Sequence, residues 1–370
     1  MTLLDGVLAE KYSWHIMAER SGKKGSSNRK RRGPPPRKKR QPPDNLIVPQ
    51  EEVTYVVDPA QAGVRLDRFL AQKLKWRSRT KVQQLLVDRE ITSNGTRVGR
   101  AYKVKPGDTI RIPLPPPPEE AHRIADIPLE IIYEDEVLVV LNKQPKIIVH
   151  PVGPHRYNTL INALHLRYRN LEDETKDIIP KLAHRIDRET SGVLIALKTG
   201  RHDRGVPLVY EHEEITKEYL AIAEGVVQDD EGLIDLPIGP EDGENPSWAQ
   251  RVVMENGRHA RTAYAVRERF EGFTLLHLRI FTGRQHQIRV HLKAIGHPVL
   301  CDRRYGLRSE FRLSDVRPLE EKDEDILLLD RQALHSYRIT FPHPTTRKEV
   351  TVEAPLPEDM NRTLEALRNQ

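Results

Sequence analysis

The run Pro115-Pro116-Pro117-Pro118 constrains this chain more than any other feature. Proline lacks a backbone N–H and holds φ nearly fixed, so four in succession fit neither a helix interior nor a central strand. The segment from Pro113 to Glu120 reads as a semi-rigid, extended linker, and a domain boundary falls there. A length of 370 residues accommodates two domains with tails. The expected order is a disordered basic tail (1–45), a small domain (51–112), the Pro-rich linker (113–123), a larger domain (124–357) and a C-terminal tail or helix (358–370).

The charge is distributed unevenly. The net charge is +6, yet the segment from Arg20 to Arg40 alone holds 11 Lys/Arg and no Asp/Glu, so the rest of the chain carries −5. A globular part without overall basic character must meet a polyanion through local patches, while the tail attracts phosphate without reading sequence. The tail's Gly, Pro and charge content supports no packed core. The more apolar stretch ahead of it is consistent with translation starting at Met17. A single cysteine, Cys301, excludes an internal disulfide framework and suits a reducing cytoplasm. No apolar run reaches the roughly 20 residues of a membrane span.

Within residues 51–112, alternation at Val53, Tyr55 and Val57 predicts a strand. Leu66, Phe69, Leu70 and Leu74 share one helical face. Ser78 is an N-cap for a second helix carrying Val82, Leu85 and Leu86. Asn94-Gly95 predicts a hairpin turn, and Lys105-Pro106-Gly107-Asp108 a second turn. Two short helices, a hairpin and this turn resemble the small RNA-binding domain first seen in ribosomal protein S4. That resemblance, over residues 63–112, implies phosphate contacts from Arg65, Arg77, Arg79, Lys81 and Arg89.

The larger domain centres on the stretch Ala183 to Gly192, followed by the apolar run Val193–Leu197. Asp187 stands between Arg185 and Arg188, and the turn-prone Thr190-Ser191-Gly192 leads into a buried strand. Cationic neighbours favour an ionised carboxylate, able to act as nucleophile or base. Taken alone, such an aspartate reads as a turn cap with solvated arginines beside it. Strands are expected at Val137–Lys143, Lys217–Ile222, Ala260–Val266, Phe273–Phe281 and Leu334–Phe341. A helix is expected at Thr159–Leu164, an acidic surface loop at 169–178, and a further strand through Gln287-Ile288-Arg289-Val290.

His184-Arg185-Ile186-Asp187-x-x-Thr190-Ser191-Gly192 strongly resembles the catalytic motif of the RluA/RluD family of pseudouridine synthases. The resemblance implies that Asp187 attacks the target uridine, that Tyr219 packs on the base and assists proton transfer, and that Arg289 pairs with the carboxylate. Read without it, Tyr219 is a core residue and Arg289 a surface charge. Arg185, Arg188, Arg284 and Gln285 are candidates for phosphate contact. The family's Lys-Pro-x-Gly is altered here to Lys143-Gln144-Pro145-Lys146. The chemistry involves no hydride or phosphoryl transfer and requires no cofactor. His286 and His291 lack the spacing and the partner residues of a metal site. The implied fold is α+β: an S4-like domain, then a catalytic domain on a largely antiparallel mixed sheet. The expected partner is RNA, as large-subunit ribosomal RNA or a pre-ribosomal particle, with the protein a monomer and no membrane involved. Modification of tRNA, or a non-catalytic ribosome-assembly role, are the alternatives.

Overall fold

The computed structural model describes residues 52–74, 85–87, 90–113, 127–152, 158–170, 177–200, 215–241 and 250–370. The basic tail, the proline run, Ser78, and the candidate RNA contacts Arg77, Arg79, Lys81 and Arg89 lie outside them.

Where it is described, the small domain follows its sequence pattern. Strand β1 (Glu52–Val56), helix α1 (Leu66–Lys73), the two-residue strands β2 (Thr92–Ser93) and β3 (Thr96–Arg97), and β4 (Thr109–Pro113) form a four-stranded sheet in the order β1-β4-β2-β3. Leu66, Phe69, Leu70 and Leu74 are fully buried against Ile110 and Ile112. Asn94 and Gly95 both take positive φ (50° and 81°), as the tight β2–β3 turn requires. Asp108 fastens the second turn, accepting from Tyr102 Oη (2.7 Å), the Lys105 amide (2.8 Å) and Asn94 Nδ2 (2.9 Å).

A ten-stranded sheet organises the larger domain. Its strands are β5 (Ile131–Glu134), β6 (Leu138–Lys143), β7 (Ile178–Leu182), β8 (Ser191–Gly200), β9 (Thr216–Glu224), β10 (Glu231–Asp235), β13 (Arg261–Phe270), β14 (Phe273–Ile280), β17 (Leu334–Pro342) and β18 (Glu349–Glu353). Between them lie the ribbons β11 (Ile238–Pro240) with β12 (Arg251–Val253), and β15 (Phe311–Arg312) with β16 (Leu327–Leu329). The main path runs β10-β13-β14-β9-β17-β8-β6-β5. All its pairings are antiparallel except β17 with β8, which is parallel over His335↔Ser191 and Ser336↔Gly192. β6 is buried along its whole length: the apolar run Leu138–Leu141 accounts for its first four residues, and the polar Asn142 and Lys143 are buried with them. Helices α2 (Leu160–Tyr168), α3 (Gln287–Ala294) and α4 (Glu358–Arg368) complete the domain.

Two expectations need correction. The segment 287–294 is helix α3, not a strand: Ile288 and Leu292 fall four apart on one buried face, which outweighs the β-branched content. Of the acidic segment 169–178, residues 171–176 lie outside the described residues, and its C-terminal end is not surface. Asp177 is 2% exposed and joined to Arg169 at 2.6 Å, and Ile178 already opens β7. The C-terminal segment is, of its two expected forms, the helix, and it packs on the larger domain. Met360, Leu364 and Leu367 of α4 enter the main core, and buried Arg331 holds Asp359 through two bonds of 2.6 and 2.7 Å.

Candidate active site

The parallel contact between β8 and β17 is the origin of the site. Ser336 on β17 lies opposite Gly192 on one side and opposite Tyr219 of β9 on the other. The Asp187 loop, which feeds β8, is thereby brought beside Tyr219. Both line a cleft of about 460 Å³, with Arg185, Lys217, Arg284, Gln285, His286 and Arg289 among its other walls. That volume falls in the range that holds a small ligand such as a nucleotide.

The Asp187 loop is held by its backbone. The Asp187 carbonyl accepts the Thr190 amide (3.2 Å), the Arg188 carbonyl accepts Lys143 Nζ (3.0 Å), and the Glu189 carbonyl accepts Arg331 Nη1 (3.1 Å). Gln332 Nε2 donates to Thr190 Oγ1 at 2.6 Å, and the Ile195 amide donates to His184 Nε2 at 3.2 Å. Lys143 is 1% exposed and also donates to the Gln144 and Ile147 carbonyls (2.8 and 3.1 Å). Burial pushes its ammonium down to about 7. The altered loop after Lys143 therefore stays tied to the Asp187 loop through one buried amine.

Asp187 shares its arginine. Arg289 Nη1 donates to Asp187 Oδ2 at 2.7 Å, while Nε and Nη2 donate to Asp302 at 2.6 and 2.7 Å. The Tyr305 ring lies 5.0 Å from the guanidinium, within cation–π range. Asp302 also accepts the Arg304 and Tyr305 amides (3.0 and 3.1 Å). Because Asp302 takes two of the guanidinium's bonds, Arg289 is fixed before any substrate arrives, and Asp187 Oδ1 stays open to the cleft. Burial pushes the Asp187 carboxyl up, but the positive charges of His286, Arg289 and Arg185 outweigh it and hold the carboxyl below its ordinary value. The His286 imidazole is itself held down to about 4, chiefly by burial. At neutral pH the ring is uncharged, and the bond and charge of Arg289 remain to favour the ionised carboxylate.

Tyr219 is 6% exposed, and burial pushes its phenol well above its ordinary value, so it keeps its proton. Lys217, two residues earlier on β9, shares its face and is also buried. Lys217 Nζ has no bonded partner among the described residues, and burial depresses its ammonium. A desolvated amine in a cleft is poised to receive an anion.

The candidate residues separate into groups. Asp187, Tyr219, Arg289, Arg185, Arg284 and Gln285 all line the cleft. Arg284 Nε donates to the His259 carbonyl (2.8 Å), and Gln285 Oε1 accepts Arg251 Nη2 (2.8 Å). Arg188 does not line it: its Nε bonds the Lys146 carbonyl at 3.2 Å. Arg65, at the head of α1, pairs with Asp67 at 2.9 Å. His291 is bound to Thr262 and the Leu236 carbonyl, both at 2.9 Å, so both ring nitrogens are engaged by protein. Sequence reading missed Lys217, Asp302 and Tyr305. The period of two along β9 could have found Lys217, whereas Asp302 and Tyr305 reach the site only through tertiary folding.

A nucleotide-sized cleft with an ionised carboxylate, a protonated tyrosine and a rim of arginines has the equipment of an enzyme that works on a base within a polyanion. Residues 137–294 match the family described as RNA pseudouridylate synthase, and residues 64–110 match the S4 domain. The chain is 35% identical over 317 residues to "Uncharacterized RNA pseudouridine synthase YlyB" of Bacillus subtilis (strain 168), covering 86% of this chain and 98% of that one. It is 34% identical over 322 residues to "Ribosomal large subunit pseudouridine synthase D" of Vibrio cholerae, covering 86% and 96%. A protein of the same name from Nitrosomonas europaea is 34% identical over 312 residues, covering 83% and 86%. The chain belongs to the RNA pseudouridine synthase family: it is an isomerase that converts uridine in RNA to pseudouridine, with an S4 RNA-binding domain. Among the described residues no helix is long and apolar enough to cross a membrane.

Proposed function

We propose that Asp187 starts the isomerisation, that Tyr219 receives the base, and that the RNA is large-subunit ribosomal RNA. The observation that carries this reading is the divided arginine. Asp187 Oδ2 is held by Arg289 while Oδ1 faces a cleft also lined by Tyr219. Oδ1 supplies the electron pair, the bond between the ribose and uracil N1 breaks, the base turns, and C5 joins the ribose. Tyr219 offers the loosened base a stacking face, and its hydroxyl relays the proton that leaves C5, accepting it as it passes its own proton on toward N1. Lys217 receives a backbone phosphate of the target strand. Arg185 and Arg284 extend that contact along the cleft rim, and Arg65, Arg77, Arg79 and Lys81 of the S4 domain contact RNA phosphate. The similarity to proteins named for the large ribosomal subunit supports the choice of RNA. The protein acts as a cytoplasmic monomer. Mapping pseudouridines in total RNA with and without it tests the target; a missing tRNA site with intact ribosomal RNA overturns that choice.

Tyr219→Phe keeps the ring and removes the hydroxyl. RNA affinity is expected within a few-fold of wild type, with turnover lower by roughly 100-fold, the scale of a proton-transfer contribution. Tritium release from RNA carrying 5-tritiated uridine measures this, and unchanged turnover would leave Tyr219 a packing residue only.

Lys217→Met keeps the buried aliphatic stem and removes the ammonium. The dissociation constant for RNA is expected to rise several-fold at low salt. The log–log salt slope should fall by about 0.7–0.9, the signature of one lost phosphate contact. A salt titration with one RNA fragment checks both; an unaltered slope excludes the phosphate contact.

A further inference from the structure

Hydrogen-bond accounting at Tyr305 determines which nitrogen of a neighbouring histidine carries its proton. Tyr305 is 3% exposed, and its hydroxyl oxygen accepts the Arg251 amide at 2.9 Å. The same hydroxyl lies 2.9 Å from His286 Nδ1. Among the described residues its proton has no other acceptor. A buried donor left unmade costs about 1–3 kcal/mol, so the hydroxyl donates to Nδ1. Nδ1 is then the acceptor of a neutral imidazole, and Nε2 bears the hydrogen.

Nε2 is 4.0 Å from Asp187 Oδ1, and His286 lines the cleft. This separation is too long for a direct hydrogen bond and leaves the N–H available to a third group. The ring is firmly placed. His286 has left-handed backbone geometry (φ 57°, ψ 23°) immediately before α3, and its ring meets Tyr305 edge to face at 5.6 Å.

We propose that His286 is a catalytic residue whose Nε2–H donates a hydrogen bond to O2 of the target uracil as the base leaves the ribose. The proposal rests on the reading of Asp187 given above. Asp187 either forms an ester with C1′ or takes the proton from C2′ to leave a C1′–C2′ double bond. In both routes the N1–C1′ bond breaks, and its electron pair stays on the uracil, shared between N1 and O2. A fixed donor at O2 stabilises that anion where the charge develops. C5 then bonds C1′. The ester opens or the proton returns to C2′, C5 loses its hydrogen, and N1 gains one, so atoms and electrons balance with no added reactant. A neutral donor suits this position, because an imidazolium would be drawn to Asp187 Oδ1 and turn its N–H away from the base. The anions facing the ring are Asp187 and Asp302 and the cations Arg289 and Arg304; burial outweighs their sum and keeps the ring neutral.

The test uses the full-length protein. His286→Gln places an amide N–H near the reach of Nε2. His286→Asn tolerates the left-handed backbone but ends near the position of Nδ1. In single-turnover assays on RNA, the Asn variant is expected to slow by roughly 100-fold or more, the loss of one such donor. The Gln variant should recover most of the rate, with RNA affinity within a few-fold of wild type for both and unfolding curves confirming that both fold. In the free, nitrogen-15 histidine-labelled protein, the His286 signals are identified by their absence in the Asn variant. They should show a protonated Nε2 and a bare Nδ1, a bias that Tyr305→Phe removes. A protonated Nδ1, a wild-type rate in His286→Asn, or equal loss in the Gln and Asn variants overturns the proposal. Activity surviving in Asp187→Asn would instead overturn the underlying reading, and the tautomer result would stand apart from it.

Discussion

Asp187→Asn is expected to bind RNA as wild type does and to form no measurable pseudouridine. The substitution barely changes volume. Arg289 keeps both bonds to Asp302, and the Asn oxygen can still accept Nη1, so the site retains its shape. What is lost is the carboxylate electron pair on the open oxygen. Removing a nucleophile usually lowers turnover by roughly 10⁴-fold or more. Tritium release from 5-tritiated uridine in RNA reads this directly, and release within ten-fold of wild type sinks the assignment. The wild-type pH profile has a sign that follows from the same geometry. A carboxyl held below its ordinary value stays charged on descending from neutral pH. Protonation of Asp187 therefore contributes no decline until below about 3.9, the ordinary aspartate value.

The parts of the molecule legible in the sequence are those governed by local pattern. The α1 face, the Asn94-Gly95 turn and the buried run of β8 are each set by a period or a turn residue that neighbours in the chain suffice to define. Asp187 draws attention as a carboxylate between arginines, but that local arrangement alone reads as a turn cap, and its proposed role comes from the resemblance of the whole motif around it. Tyr219 was placed on its strand by the same alternation. Arg289 was found but put on the wrong element, since Gln-Ile-Arg-Val has strand-like content over four residues. Only the longer spacing of Ile288 and Leu292, behind a left-handed His286, defines the helix. Asp302 had no local signal at all. It follows Cys301, which also takes a positive φ (58°), and it acquires meaning only when α3 packs against that bend. His286 is weighed as a metal ligand and rejected on spacing, with no other role seen for it. Its environment is made instead by Tyr305 and, through that hydroxyl, by the Arg251 amide far from both in the chain.

Gly192→Ala should be among the most damaging single changes in the chain. Gly192 has φ 106°, and a Cβ built there would lie 2.1 Å from the Ser336 carbonyl oxygen, 2.8 Å from its carbon and 2.9 Å from its nitrogen. All three atoms are backbone in the middle of a sheet, so none can swing aside as a flexible side chain would. The methyl must force β17 away from β8. The Ser191 Oγ–His335 Nδ1 contact (2.9 Å) and the Ser336 Oγ to Val193 carbonyl bond (3.1 Å) are lost with that separation. The expected destabilisation is on the order of 4 kcal/mol, from overpacking plus a disfavoured backbone conformation. For a domain of this size it should appear as a melting temperature lower by roughly 10 °C. Gly272→Ala is the control. Gly272 also has a positive φ (76°), but nothing lies within 4 Å of its Cβ position. It therefore bears the conformational cost alone, about 1 kcal/mol. The molecules that remain folded in the Gly192 variant should also turn over slowly. Ser336 faces Gly192 on one side and Tyr219 on the other, so displacing it moves Tyr219 relative to the Asp187 loop. Thermal unfolding and single-turnover rates of the two variants, measured side by side, separate these contributions. Equal melting shifts would mean that the sheet absorbs the methyl, and that the close approach of β8 to β17 is not what holds the two halves of the site together.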